Sequence, residues 1–476
     1  MPAPDSSRTI SLPADGLPLT PFEEHMLVDD RPTHPMVIVT RFDFVGDAPP
    51  ANLEEAFLNT VQNEPLLTAR IETAGGRRPR WVPGDMPRLH RSRGPRLGAG
   101  PSQWTPALPR LDPRSGPVLH AELVEHGDGW SIALAVHHAA CDGLGTTGFM
   151  ERWLLAVDGK PGRRRRPPED VMAALLARGR IASSWSRFAR MLPRLAKGLE
   201  GVKEFMAHDV TALADEDDAS RVPRAEGPWQ PAVVSATLDD TLVDAVEHRA
   251  KETGVRVNDL LAMALAATLG DHVAAAPHRQ QSPQTPWIRI GIPMSLRTKD
   301  DHLLPAANRV SMIFLDRQPD DRHDRERLAA GIRDQMEIIK KHALGHIFPL
   351  SLAAGRLLPG GLRRSAHRPR PQCTAVLSNL GRFFDRTPLV APDGAIRVGG
   401  SRMAGWWAVP PIRPGTALAA CTHETCGHRT IAFHVDPDRL RPETAEGLLG
   451  RMVSELETLA ATGMAPAMAA ARGDTA

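Results

Sequence analysis

Strand-type and helix-type hydrophobic patterns alternate irregularly along the whole chain, and this irregularity limits the folds that the chain can adopt. Residues 36–44 are rich in β-branched and aromatic side chains and predict a strand. The next apolar side chains, Leu53, Ala56, Phe57 and Val61, recur at helical spacing. Patterns in the second half predict strands at 232–238, 287–296 and 373–381 and helices beginning at Asp240, at Asn258 and near 323. This order favours α/β sandwiches over a doubly wound parallel sheet.

A chain of 476 residues exceeds one ordinary hydrophobic core, so we expect two domains. The acidic, proline-containing stretch 215–228 is the predicted linker between an N-terminal half (1–214) and a C-terminal half (229–476). Hydrophobic residues make up 42% of the chain and charged residues 24%, which is the balance of a soluble globular protein. The formal net charge of +2 gives no reason to expect a nucleic-acid partner.

The sequence carries neither a signal-peptide pattern at its start nor a run of about 18 apolar residues. Its four cysteines are too few for a disulfide scaffold, which fits a reducing compartment. We therefore expect a cytoplasmic protein without a membrane span, and the pattern leaves peripheral membrane contact open.

Two adjacent histidines close a predicted hairpin at residues 117–138. Strand side chains alternate between two faces, so the rings of His137 and His138 should point apart, which argues against a shared metal ion. One of them can serve as a general base near neutral pH if its backbone and tautomer are fixed. Asp142 and Gly143 can form a hydrogen-bonded turn that fixes them. From spacing alone, an ordinary turn is the slightly better interpretation.

The spacing of His137, His138, Asp142 and Gly143 is HHxxxDG, and with it the chain resembles the condensation-domain and acyltransferase superfamily. That superfamily includes wax ester synthase/diacylglycerol acyltransferases and polyketide-associated acyltransferases. Further segments resemble those of the family in the same order: LPLTPFEEHM, NEPLLTARI, VRVNDLLAMALA, IPMSLRTKDDHLLPAANRVS, VLSNLGR and VPPIRPGT. The resemblance extends from about residue 17 to about residue 455.

The resemblance implies an α/β fold of two chloramphenicol-acetyltransferase-like sandwich halves with a central tunnel between them. It implies His138 and Asp142 as the catalytic pair. His138 deprotonates a hydroxyl or amine, which attacks an acyl thioester directly without an acyl-enzyme. Asp142 holds the loop through an ion pair with the structural residue Arg297. The thioester, on coenzyme A or on a carrier protein, is a substrate, and no cofactor or metal is expected.

Six residues in the resembling segments are predicted to bind substrate. They are His137, Gly143, Ser295, Asn308, Ser378 and Asn379. For the last four, a polar side chain that merely satisfies a strand end or turn is an equally good interpretation. The family has a glycine just before the asparagine that Asn308 matches, whereas this chain has Ala306 and Ala307 there. A tight backbone approach at that point is therefore not expected.

Three other segments carry candidate chemistry. The stretch CTHETCGH (421–428) contains metal-ligand residue types, but its flanks favour a hairpin over a zinc site. Residues 181–206 predict a basic amphipathic helix, bent or broken near Pro193. The arginine-rich runs 163–166 and 363–370 suit coenzyme A phosphates, a carrier protein or anionic lipid, although a solvated loop is the better explanation for each run taken alone.

The predicted function is an acyltransferase that moves an acyl group from coenzyme A to a hydroxyl of a lipid-like acceptor. Two alternatives remain at this point: an amide-forming condensation enzyme that uses a carrier-bound thioester in secondary metabolism, and a non-catalytic homologue that binds a carrier protein or lipid. The plant-type DFGWG signature is missing, and no adenylation or carrier-protein signature follows. We therefore expect a free-standing acyltransferase rather than part of a peptide synthetase.

Overall fold

The computed structural model describes residues 10–75, 78–94, 108–160, 167–181, 185–214, 229–275, 287–299, 301, 304–367 and 371–461. The predicted linker at 215–228 and the arginine run at 163–166 lie outside these residues, as does the end of the second run, at 368–370.

Helices and strands alternate irregularly, as the sequence predicts. The helices are α1 (Pro21–Asp29), α2 (Leu53–Val61), α3 (Gly143–Val157), α4 (Pro168–Ala177), α5 (Trp185–Ala207), α6 (Asp240–Thr253), α7 (Val257–Ala275), α8 (Arg325–Lys341), α9 (Ile347–Leu357), α10 (Gly361–Ala366) and α11 (Pro442–Ala461). The strands are β1 (Leu17–Pro18), β2 (Val37–Val45), β3 (Ala69–Glu72), β4 (Arg80–Pro83), β5 (Leu89–Arg93), β6 (Leu119–His126), β7 (Gly129–His137), β8 (Ala232–Leu238), β9 (Ile288–Ser295), β10 (Val310–Arg317), β11 (Ala375–Arg382), β12 (Arg397–Val398), β13 (Ser401–Val409), β14 (Leu418–Thr425) and β15 (His428–Val435).

Two six-stranded sheets form the two halves of the molecule. The N-terminal sheet has the order β12-β13-β2-β7-β6-β5, and the C-terminal sheet has the order β10-β9-β11-β14-β15-β8. A small third sheet joins β1, β4 and β3. Each large sheet has its own buried apolar cluster, which it shares with the helices packed on it. The predicted α/β fold of two sandwich-like halves is therefore confirmed.

Two strands from the second half of the sequence, β12 and β13, lie in the N-terminal sheet. Strand β13 pairs antiparallel with β2, so that Trp406 stands opposite Phe42 and stacks on it with the ring centroids 5.0 Å apart. The predicted division into 1–214 and 229–476 therefore does not coincide with the division into sheets. The pairing of β13 with β2 joins residues that are 357 to 370 positions apart, and no local pattern in the sequence indicates it.

The start of α1 follows the predicted capping pattern. The Thr20 hydroxyl accepts a hydrogen bond from the Glu23 N–H, and the Glu23 carboxylate accepts one from the Thr20 N–H. The same buried carboxylate accepts a bond from Trp81 Nε1 and is ion-paired with Arg178, which follows α4. One glutamate thus ties α1 to β4 and to the end of α4.

Two of the predicted helix boundaries need correction. Helix α7 begins at Val257, so Asn258 lies in its first turn and is not its cap; the Asp259 carboxylate accepts the Arg256 N–H instead. Helix α5 continues through Pro193 without a break, with Met191 and Leu195 buried on either side of the proline. No described helix is long and apolar enough to cross a membrane.

The stretch CTHETCGH forms the predicted hairpin between β14 and β15, with its turn at Cys426 and Gly427. Gly427 has a φ of +87°, a conformation that suits glycine. Within the hairpin, the buried His423 ring stacks on Trp406, and burial lowers its pKa to about 3. Among the residues that the structure describes, no group of His, Cys, Asp and Glu side chains is placed to hold a metal ion.

Candidate functional site

Strand β7 carries the histidine pair to the junction of the two halves. It lies between β2 and β6, and every residue of the strand is buried. The strand ends at His137, after which the His138 N–H donates to the Met36 carbonyl oxygen at 2.7 Å. Backbone hydrogen bonds therefore hold the chain at the histidine pair independently of the two rings.

His137 is a positioning residue with a fully buried ring. Its Nδ1 accepts the Ala139 N–H at 3.1 Å, which leaves the proton on Nε2, 3.6 Å from Asp30 Oδ1. The same Asp30 oxygen accepts the Met36 N–H at 2.9 Å. Because this ring faces protein on both nitrogens, the prediction that His137 binds substrate is corrected: it holds the loop that carries His138.

His138 is the member of the pair that solvent reaches, since its side chain is only partly buried. Its Nδ1 is buried, which leaves Nε2 as the accessible ring nitrogen. Burial lowers the pKa of His138 below its ordinary value of 6.5, although the Asp142 charge and the residue's own backbone carbonyl oppose the shift. The imidazole is therefore neutral at pH 7, the form that can accept a proton.

Asp142 caps α3 and does not bond to either histidine. Its two carboxylate oxygens accept four hydrogen bonds: from Gly145 N–H (2.9 Å), from Arg309 N–H (2.8 Å) and from two nitrogens of Arg297 (2.7 and 2.9 Å). The Arg297 guanidinium and the two N–H groups outweigh burial and hold the pKa of Asp142 below its ordinary value. The structure thus has the Asp142–Arg297 pair that the resemblance implies, and the pair joins the two halves.

Asn308 fixes the backbone of His138 from the C-terminal half. Its amide nitrogen donates to the carbonyl oxygens of His138 and Ala139, both at 2.8 Å. An amide has two N–H groups, and both are engaged here. The prediction that Asn308 contacts substrate through this amide is therefore corrected to a positioning role.

The backbone around Ala307 approaches α3 closely, contrary to the sequence prediction. A side-chain carbon placed on Gly145 would lie 3.1 Å from the Ala307 nitrogen and 2.4 Å from Cys141 Sγ. The missing glycine before Asn308 is thus compensated by Gly145 on the opposite side. Nearby, the buried Glu64 carboxylate accepts the Ala306 N–H at 2.6 Å and fixes this segment further.

The remaining predicted residues divide between the site and its surroundings. Ser295 is exposed, and its hydroxyl accepts the Arg297 N–H at 3.2 Å, so it shapes the turn that presents this arginine. Asn379 accepts the Gly381 N–H at 2.8 Å within a bulge of β11, and Ser378 stands opposite Cys421. Ser295 and Asn379 thus bond within the protein, and substrate contact by Ser295, Ser378 and Asn379 stays a prediction.

Gly143, by contrast, lies at the accessible start of α3. The Leu380 side chain covers it from the C-terminal half, because a carbon added to Gly143 would lie 2.8 Å from Leu380 Cδ2. The first N–H groups of a helix have no partner within the helix, and those of Gly143 and Leu144 are among them. Both residues are partly exposed.

Sequence reasoning missed three residues that surround the histidine pair. Phe22 on α1 contacts the His138 ring, with centroids 5.4 Å apart, and Phe348 on α9 contacts Phe22 at 6.4 Å. Asp30 faces His137 as described above. Phe22 lies in a segment that resembles the family, yet nothing in the linear pattern distinguishes it from the other apolar residues around it.

Known structures share this architecture. The epimerization domain from the third module of tyrocidine synthetase B matches with a TM-score of 0.62 at 15% identity, over 95% of this chain and 98% of that one. A mutant starter condensation domain of rhizomide synthetase, in complex with C8-CoA and Leu-SNAC, matches with a TM-score of 0.61 at 15% identity, over 95% and 96%. Polyketide synthase associated protein 5 from Mycobacterium tuberculosis matches with a TM-score of 0.60 at 15% identity, over 94% and 98%.

Sequence comparison gives no further assignment. No protein-family model matches the chain, and no curated protein matches it. The structural matches therefore establish the fold, which is that of condensation domains and their relatives.

Proposed function

We propose that this protein is an acyltransferase that uses His138 as a general base to move an acyl group from a thioester to a hydroxyl. The observation that carries the proposal is a neutral, accessible imidazole whose backbone is fixed by Met36 from one side and by Asn308 from the other. A general base must first be held in the correct position, and only then does its pKa decide its efficiency; the fixed backbone of His138 meets the first requirement.

In the proposed step, Nε2 of His138 takes the hydroxyl proton while the hydroxyl oxygen bonds to the thioester carbonyl carbon. The resulting tetrahedral intermediate collapses to an ester, the carbon–sulfur bond breaks, and the thiolate takes the proton back from the imidazolium. The N–H groups of Gly143 and Leu144 at the start of α3 are our candidate donors to the negative oxygen. Atoms and charges balance without a cofactor or a covalent enzyme intermediate.

The surroundings of His138 favour an apolar acceptor. The aromatic ring of Phe22 contacts the imidazole, and Phe348 extends this apolar wall on α9. On the opposite side, Leu380 covers Gly143. Apolar walls with few polar groups are typical of sites for hydrophobic ligands. A lipid-like alcohol is therefore our proposed acceptor, and the predicted tunnel between the halves is the proposed route to His138.

Coenzyme A is the proposed acyl carrier. The support is the shared fold of the rhizomide synthetase domain, which was solved in complex with C8-CoA. The second candidate is amide formation from a carrier-bound thioester, which the fold shared with the first condensation domain of the CDA synthetase favours. A neutral imidazole serves an amine as well as an alcohol, so the site itself does not separate the two reactions. The third candidate is a non-catalytic homologue that binds a carrier protein or lipid and has no turnover.

Release of free thiol from short and long acyl-coenzyme A donors, each with pooled alcohols or pooled amines, tests the proposal. We expect thiol release that requires an alcohol, with an ester detected by mass spectrometry. Amide products, or activity only with a carrier-bound donor, would favour the second candidate. Silence with both kinds of donor and both kinds of acceptor would contradict catalysis and favour a binding protein.

A further inference from the structure

Three leucines are unusually exposed for their size. Leu357 is 74% exposed and Leu358 is 59% exposed, where α9 ends before α10, and Leu176 on α4 is 59% exposed. Isolated exposed leucines are ordinary on protein surfaces, whereas a group of them calls for an explanation. The question is whether these three lie together.

The contacts of neighbouring residues bring the two segments that carry these leucines to residues 18–24. Arg356, which precedes Leu357, donates to the Leu19 carbonyl at 3.2 Å and pairs with Glu24 at 2.5 Å. Arg178, two residues after Leu176, donates to the Pro18 carbonyl at 2.8 Å. Both leucine-bearing segments are thus anchored to residues 18–24.

Exposed arginines follow Leu357 and Leu358 in the chain. Arg363 and Arg364 are exposed on α10, and neither has an ion pair with a residue that the structure describes. The neighbouring carboxylate, Glu24, is already paired with Arg356. We call the exposed turn at the end of α9, together with the arginines of α10, the α1 rim; it consists of Leu357, Leu358, Arg363 and Arg364.

We propose that the α1 rim docks the protein on an anionic lipid surface. Apolar side chains that enter the headgroup region, flanked by arginines that meet lipid phosphates, are the combination that interfacial binding requires. Four consecutive residues at the tip of the rim, 357–360, are all exposed. Exposed leucines beside arginines suit the interface of a fluid bilayer, whereas a helix from a protein partner needs a groove.

The position of the rim relates it to the candidate site. Helix α9 carries the exposed leucines at its end and Phe348 near its start, and Phe348 leads through Phe22 to His138. Docking would thus bring the bilayer to the apolar wall beside the proposed base. The inference deepens the proposed function by naming a membrane-resident acceptor, but its test measures binding and does not depend on turnover.

The test is co-sedimentation of the full-length protein with phosphatidylglycerol vesicles and with phosphatidylcholine vesicles. We expect binding to the anionic vesicles only, weakened by salt. The double variant Leu357→Asp/Leu358→Asp should lose at least about tenfold in affinity, and so should Arg363→Glu/Arg364→Glu. The matched control is Leu199→Asp/Met206→Asp, which puts the same charges on two exposed positions, 53% each, of the basic helix α5 and should bind normally.

Several outcomes would overturn the proposal. These are failure of the wild-type protein to bind anionic vesicles, equal binding to both lipids, and loss of binding in the α5 control alone. Failure to bind vesicles, combined with binding to an acidic acyl carrier protein that the leucine variant abolishes, would make the partner a protein instead. The His138→Ala variant should bind vesicles normally, so a failed catalytic proposal is distinguishable from a failed docking proposal.

Discussion

Replacing Arg297 by methionine tests the ion pair that joins the two halves at the candidate site. The change keeps most of the length and apolar stem of the side chain and removes its charge. The Asp142 carboxylate then loses two of its four hydrogen bonds, at 2.7 and 2.9 Å, and keeps those from Gly145 N–H and Arg309 N–H. It remains buried and charged without its counterion.

Removal of one partner of a buried pair costs about 3–5 kcal/mol of unfolding free energy. The lower end applies here, because the Arg297 side chain keeps 22% exposure and the two N–H groups still hold the carboxylate. A loss of about 3 kcal/mol corresponds to a Tm decrease of roughly 6–12 °C in a domain of about 150–250 residues. Thermal unfolding at pH 7 measures it, with Arg363→Met as the control that removes an exposed arginine lacking an ion pair with the described residues.

The pH dependence gives the same prediction a second readout. The folded pKa of Asp142 is lowered, so the stabilisation by Arg297 is present above the ordinary value of 3.8 and is lost as the pH falls through the folded value. The Tm difference between the wild type and Arg297→Met should therefore shrink as the pH falls below 3.8. A Tm for Arg297→Met equal to that of the control at pH 7 would refute this account of the junction.

Three further predictions address the same site. Asn308→Ala should lower the unfolding free energy by about 1–3 kcal/mol, because two buried carbonyls lose their donor. The same variant should lower kcat more than KM. A normal kcat in a stable Asn308→Ala protein would contradict the positioning role of Asn308. Because the pKa of His138 is lowered, kcat/KM should be flat around pH 7 and fall only on acidification below 6.5; an inflection above pH 6.5 would contradict a neutral base. Gly145→Ala should destabilise the protein by about 1–3 kcal/mol, since its carbon would meet Cys141 Sγ. The control is Gly447→Ala in α11, whose added carbon would meet nothing within 4 Å and should stabilise the protein by about 0.5–1 kcal/mol. Equal unfolding midpoints for the two alanine variants would contradict the close packing around Gly145.

Local patterns in the sequence predicted most individual elements. The capping box at Thr20 and Glu23 predicts the start of α1, and alternation of side chains predicts β7 with the histidine pair at its end. Both depend on neighbours within a few residues, which a linear pattern contains. The ion pair of Asp142 with Arg297 followed from the family resemblance, because the two residues are 155 positions apart.

The features that the sequence did not predict depend on contacts between residues that are far apart in the chain. Strand β13 pairs with β2 in the N-terminal sheet and stacks Trp406 on Phe42, a contact between distant residues that no local pattern contains. Asn308 was predicted to contact substrate, since its type fits that role equally well; only the fold shows both N–H groups donating to the histidine loop. Asp30 and Glu64 are ordinary carboxylates until burial brings them against backbone N–H groups.

The central claim is that His138 is the general base of an acyl transfer. The most direct test compares acceptor-dependent thiol release by the wild type and by His138→Ala, with a donor and acceptor that the panel identifies. The account predicts a loss of at least about 10²-fold in kcat and an unchanged Tm, because general-base catalysis contributes about 10²–10⁴-fold and the loop backbone is held by Met36 and Asn308 rather than by the ring. Turnover at the wild-type rate by a folded His138→Ala protein would contradict it.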